Sequence, residues 1–72
     1  MSESQKFLNA LYNNYIQPSI LAGKRNDVIA FYIMYRSKLA DKCVKSSMTH
    51  KRMKEILQMV DDTIRPAIMN SR

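Results

Sequence analysis

Seventy-two residues carrying twelve Lys and Arg, six Asp and Glu and a formal net charge of +6 make one small basic domain, near the lower size at which a chain folds without a metal or disulfide staple. Cys43 and His50 are the only residues of their kinds, which excludes an intrachain disulfide and any zinc site built on Cys/His pairs. The longest apolar run, Val28 to Tyr35, is far short of the roughly 20 residues of a membrane span. The start also lacks the basic-then-apolar order of a secretion signal, and a single unpaired thiol suits a reducing compartment. A soluble cytoplasmic protein with no membrane contact, no cofactor and no metal is expected.

One Gly, two Pro and helical apolar spacing point to an all-α fold. The first helix should begin near Ser2 or Ser4, with Ser2 and Gln5 at capping-box spacing, and carry Leu8, Leu11, Tyr12 and Tyr15 on one stripe. Pro18 lacks a backbone N–H and disfavours the α conformation at Gln17, so a kink or restart is expected there. Ile20 and Leu21 then extend a short turn that Gly23 can cap. Asn26 or Asp27 can cap a second helix that runs to about Lys45. Ser46 to Thr49 is the next break. The third helix should carry Met53, Ile56, Leu57, Val60, Ile64 and Ile68 inward, with Pro66 interrupting it near the end. The expected product is a compact three-helix bundle with Pro-kinked first and third helices, a single domain over residues 1–72.

One pattern recurs at an offset of 48. Asn13-Asn14-Tyr15-Ile16-Gln17-Pro18-Ser19-Ile20-Leu21 echoes Asp61-Asp62-Thr63-Ile64-Arg65-Pro66-Ala67-Ile68-Met69. Two polar turn-formers precede Ile-x-Pro-small-Ile in both copies. Architecturally, this predicts two similar helices packed beside a central one. Functionally, two Pro elbows could frame a shared groove.

The charge is localised. Between Arg36 and Lys54 lie Arg36, Lys38, Lys42, Lys45, Lys51, Arg52 and Lys54, with Asp41 the one acid inside the run. A patch of this kind implies an acidic partner or a strongly solvated tip. On a helical wheel Leu39, Ala40, Cys43 and Val44 share one side of the second helix, and Lys38, Lys42 and Lys45 the other. Toward the N-terminus the Lys stripe runs into Phe31, Met34 and Tyr35, so one face is aromatic first and basic afterwards. Such a face can stack with its rings while its ammonium groups engage phosphates. If the helix is instead sandwiched between its neighbours, its first half must be apolar all round. Asp41 stands four residues before Lys45 and should pair with it.

The turn adds Ser46, Ser47, Thr49 and His50 ahead of Lys51, Arg52 and Lys54, a combination suited to anion contacts at a helix start. From Leu39 to Met53 the chain resembles a helix-turn-helix. It departs from that pattern at Val44, where a turn glycine is usual, and at Lys45 and His50, where apolar residues belong.

Catalysis needs a nucleophile beside a base, convergent carboxylates, a phosphate loop or metal ligands. Cys43 sits on the apolar side of its helix, where a small hydrophobe is expected. Asp61 and Asp62 are adjacent, point apart and suit capping, and one Gly builds no phosphate cradle. The sequence therefore predicts no enzyme. It predicts a small regulatory protein that binds nucleic acid, DNA or RNA, through Arg36, Lys38, Lys42, Lys45, Thr49, His50, Lys51, Arg52 and Lys54. The alternative is an adaptor or inhibitor that docks on an acidic protein surface through exposed Phe31, Tyr32, Met34 and Tyr35. A hydrophobic fraction of 46% with six Met and four Tyr is more than a small interior absorbs, which also leaves a homodimer open.

Overall fold

The computed structural model describes residues 3–70. The described residues are helical nearly throughout: α1 covers Glu3–Leu11, a π-helical segment Tyr12–Ile16, α2 Gln17–Leu21, α3 Arg25–Lys45 and α4 His50–Asn70. α1, the π segment and α2 follow one another without a break, so the architecture is three helical rods, as the apolar spacing predicts. Ser2, half of the expected capping box, lies outside the described residues.

Pro18 does not end the first rod. The N–H of Gln17 donates to the carbonyl of Tyr12 five residues back, so the turn just before the proline is widened from α to π. An ordinary α-turn would press the Pro18 ring on the carbonyl four residues earlier. The π turn admits one extra residue there, and Pro18 falls in the first turn of α2, where a missing N–H costs little. Pro66 lies inside α4, which runs on to Asn70. The expected interruption of the third helix at Pro66 is therefore corrected: α4 continues past it, with Ile64 and Ile68 buried on either side.

α2 and α3 end and begin around Gly23, and α3 and α4 around Ser47, with the same geometry. Gly23 at φ +78° donates to Ile20 O at 3.0 Å, and Lys24 to Ser19 O at 2.8 Å. Ser47 at φ +56° donates to Val44 O at 3.0 Å, and Met48 to Cys43 O at 3.1 Å. Both are Schellman ends. Lys24, rather than Asn26 or Asp27, precedes α3, and no side chain caps it. Thr49 does cap α4, its Oγ1 accepting the Arg52 N–H at 3.2 Å.

The core is Leu8, Ile16, Val28, Val60, Ile64 and Ile68, each at most 9% exposed. Leu11, Tyr12, Tyr15, Ile20, Phe31 and Leu39 pack around it half-buried. The echoed segments supply equivalent parts: Ile16 and Ile64 are both fully buried, while both prolines face outward. α3 and α4 run antiparallel. Arg25 Nε near the start of α3 donates to Ile68 O near the end of α4 at 3.0 Å, and Tyr32 and Arg36 meet Asp61. This is an αα-hairpin, so the steeply crossed helices of a helix-turn-helix are not formed.

Two outcomes follow for stability. Ser47 occupies a left-handed conformation that costs a residue bearing a Cβ about 1 kcal/mol, so Ser47→Gly should raise the thermal midpoint by about 4–8 °C. Ile64→Ala removes a fully buried branched side chain and should cost about 2–5 kcal/mol, read from chemical denaturation.

Candidate nucleic-acid interface

Where the first rod stops on the hairpin decides what the basic residues can do. A groove lined by Glu3, Ser4, Leu39, Ile56 and Val60 sets the start of α1 level with Leu39 and Ile56. The part of α3 after Lys42 and the part of α4 before Ile56 project past it as a two-helix tip. That tip carries Lys45, Lys51, Arg52 and Lys54 of the basic run, and Arg36, Lys38 and Lys42 lie at or below its base. Cys43 fastens its inside at 3% exposure, as its apolar setting predicts. Val44, expected beside it on the inner side, is 66% exposed, because the inward stripe of α3 follows Leu39 and Cys43 and rotates Val44 outward.

The seven basic residues divide by partner. Arg36 is held across the hairpin, its Nε 3.0 Å from Asp61 Oδ1 and its Nη2 3.4 Å from Oδ2. Lys45 pairs with Asp41 at 3.1 Å, as its spacing predicts. Arg52 pairs with Glu55 at 3.4 Å. Lys38, Lys42, Lys51 and Lys54 are exposed and form no salt bridge with any described residue. His50 is exposed in the first turn of α4, and the Thr49 hydroxyl serves as the cap of that helix. Of the predicted contact set, Lys51 and Lys54 on the tip and Lys38 and Lys42 at its base carry ammonium groups that no carboxylate of a described residue engages.

Local electrostatics differ between the two helix ends that meet there. Lys42 and Lys45 occupy the last turn of α3, where a positive charge complements the negative end of the helix dipole. α4 opens on His50, Lys51 and Arg52 with no acid in its first turn. Those charges oppose the positive end of the α4 dipole, and an anion placed there relieves the opposition.

Beside the tip lies an aromatic row. Tyr15 meets Phe31 edge-on at 5.0 Å, Phe31 stacks on Tyr35 at 5.6 Å, and Tyr35 stacks on Phe7 at 6.1 Å. Phe31, Tyr32 and Tyr35, expected as exposed docking anchors, are half-buried and packed on the core. The first rod lies over Phe31 and Tyr35, and Tyr32 turns toward α4. Met34 alone of that set is open to solvent, together with the neighbouring Ile33. α3 is therefore covered on part of its circumference and is not sandwiched all round. Phe7, which the sequence did not single out, is 55% exposed and joins Tyr35, Leu39, Lys38 and Lys42 in lining one recess of about 480 Å³.

Asp61 is another residue that sequence reasoning misplaced. It caps nothing, and it accepts hydrogen bonds from Tyr32 Oη and Arg36 in the middle of the hairpin. Burial alone would raise its carboxyl, but the hydrogen bonds from Arg36 and Tyr32 and the charges of Arg36 and Arg65 outweigh burial and hold it below its ordinary value. Burial, then the hydrogen bond to Asp61 and its negative charge, push the Tyr32 phenol up. Asp62 faces outward and accepts from Gln58 Nε2 at 2.8 Å.

A recess of about 590 Å³ lies elsewhere. Asn13 and Gln17 of the first rod and Thr63, Pro66 and Asn70 of α4 line it, with no charged side chain. The two echoed segments do flank one groove, but Pro66 lines it and Pro18 does not. Among the described residues no helix is long and apolar enough to cross a membrane. No protein-family model, curated protein or solved structure matches this chain.

A depressed carboxyl contributes stability that is complete above its unfolded value and is lost as the pH falls through its folded value. Asp61→Asn should therefore cost about 1 kcal/mol at neutral pH. The difference from wild type should shrink as the pH drops below about 3.9, measured by urea denaturation across that range. A difference independent of pH would remove the ion pair from the account.

Proposed function

We propose that this chain is a small non-enzymatic regulatory protein that binds nucleic acid through the tip of its α3/α4 hairpin. The observation that carries the reading is the set of four exposed lysines, Lys51 and Lys54 on the projecting tip and Lys38 and Lys42 at its base, which form no salt bridge with any described residue. Ammonium groups on two adjoining helices suit a chain of regularly spaced negative charges, because each neutralised phosphate releases counterions. The basic opening turn of α4 supports the same reading, since a phosphate there offsets charges that otherwise oppose the helix dipole. Lys45, Arg52 and Arg36 contribute less, each already being engaged by a carboxylate. Thr49 and His50 adjoin the contact surface.

Docking on an acidic protein surface draws on the same lysines. It is the weaker reading, since the aromatic side chains that would anchor it are committed to the core and Met34 remains as its one open anchor.

Fluorescence anisotropy with labelled DNA and RNA tests the proposal. Contacts to about four phosphates should weaken binding roughly fifty-fold between about 50 and 200 mM salt for a single strand. A Lys42→Glu/Lys51→Glu variant should bind too weakly to measure at the higher salt. Unchanged binding by that variant, or none by wild type at low salt, would overturn the reading.

A further inference from the structure

We propose that the recess between the start of α1 and the second half of α3 is a stacking site for an unpaired nucleobase, so that the protein selects single-stranded over duplex nucleic acid. The inference rests on the nucleic-acid reading of the tip and adds what the strand presents there.

Phe7 is the starting point. Its neighbour Leu8 is 2% exposed and belongs to the core, whereas Phe7 is 55% exposed. Leaving a phenylalanine ring in water forgoes its burial free energy. The ring nevertheless meets another, lying 6.1 Å from Tyr35 between centroids and 18° from its plane. Tyr35 is in turn held 17° from Phe31, and Tyr15 abuts Phe31 from the other side. The row is anchored in the core at one end and open at the other, with Phe7 as its last member. A rigid aromatic terminus accepts any base through its π face, whatever the base's hydrogen-bonding edge.

Charge identifies the occupant. Lys38 and Lys42 line the same recess as Phe7 and Tyr35. They stand one helical turn apart, about 6 Å along the axis, comparable with the step between successive phosphates of an extended strand. Asp41 also lines the recess, but its carboxylate is engaged by Lys45 at 3.1 Å. A recess of about 480 Å³ with an aromatic wall and two ammonium groups matches a nucleotide with its flanking phosphates. A duplex offers the phosphates and keeps its bases stacked inside, out of reach of the ring. An acidic peptide would use the lysines without the ring.

The recess continues toward the other lysines. Phe7, Tyr35 and Leu39 are shared with the groove at the start of α1, and Met59 links that groove to the one lined by Lys51 and Lys54. A strand leaving the stacking site would pass Glu3 and Ser4 at the rim of an otherwise apolar groove and reach Lys51 and Lys54, whose groove also holds Glu55, paired with Arg52, and Asp62, which accepts from Gln58.

The test compares a short oligothymidylate, an abasic strand of the same length and a duplex of the same length, each titrated into wild type and into Phe7→Leu by anisotropy at physiological salt. Wild type should bind oligothymidylate about tenfold more tightly than either other probe, the effect of one stacked base. Phe7→Leu should lose that advantage while its weak abasic binding stays as it was. If wild type binds the abasic strand or the duplex as well as oligothymidylate, the stacking site is wrong and the lysine contact stands. If Phe7→Leu keeps the full advantage, the ring has been misassigned. If no probe binds at all, or polyglutamate binds as tightly as oligothymidylate, the nucleic-acid reading falls with it. The wild-type comparison needs no variant and decides the matter even if Phe7→Leu fails to fold.

Discussion

The uneven placement of the core governs the rest of this small protein. Its hairpin members Val28, Ile64 and Ile68 lie in the half away from the α3/α4 turn, with Val60 midway along α4, and the first rod adds Ile16 and, beside Leu39 and Ile56, Leu8. The first rod reaches about as far as Leu39 and Ile56, and beyond them the hairpin is closed by Cys43 and by contact between two helices. A chain of this length cannot bury both ends of two 21-residue helices. Whatever occupies the uncovered end must tolerate water, and this chain places Lys45, Lys51, Arg52 and Lys54 there.

The polar contacts divide in the same way. At mid-hairpin, Tyr32 and Arg36 on α3 converge on Asp61 of α4, and at the covered end Arg25 reaches the carbonyl of Ile68. These cross-helix contacts fix the register of the hairpin where the core also holds it. Toward the turn the ion pairs are local, Lys45 with Asp41 and Arg52 with Glu55. Exposed pairs within one helix contribute a few tenths of a kcal/mol and leave the surrounding potential positive. The tip thus combines low burial, like charge and a helix start without an acid, features that lower its local stability and make it responsive to an anion.

Much of the architecture was legible in the sequence because it depends on local rules. Helical spacing, Gly23 as a left-handed end, the break at Ser46 to Thr49 and the pairing of Asp41 with Lys45 are each decided by residues a few positions apart. The features that escaped depend on the register between rods. Asp61 looks like a capping residue until α3 is laid antiparallel to α4 and Tyr32 and Arg36 arrive opposite it. Phe7 lies beside the predicted stripe of Leu8 and Leu11, and only the arrival of Tyr35 from α3 gives it a neighbour. Val44 was assigned inward by counting from Leu39 and Ala40, but a two-helix tip has room inside for Cys43 alone. Of the two prolines, Pro18 stands where a π turn gives way to a new α-helical segment, in keeping with the restart expected there, whereas α4 continues past Pro66, where an interruption was expected.

The central claim is that the uncovered tip, with the recess beside it, is where this protein meets its partner. Backbone amide shifts followed by NMR during titration with a short oligothymidylate test it most directly. The account predicts saturable changes concentrated at Ser4 to Phe7, Tyr35 to Lys45 and His50 to Met59, fading as salt is added. Changes centred instead on the uncharged groove of Asn13, Gln17, Pro66 and Asn70, or shifts that ignore salt, would contradict it.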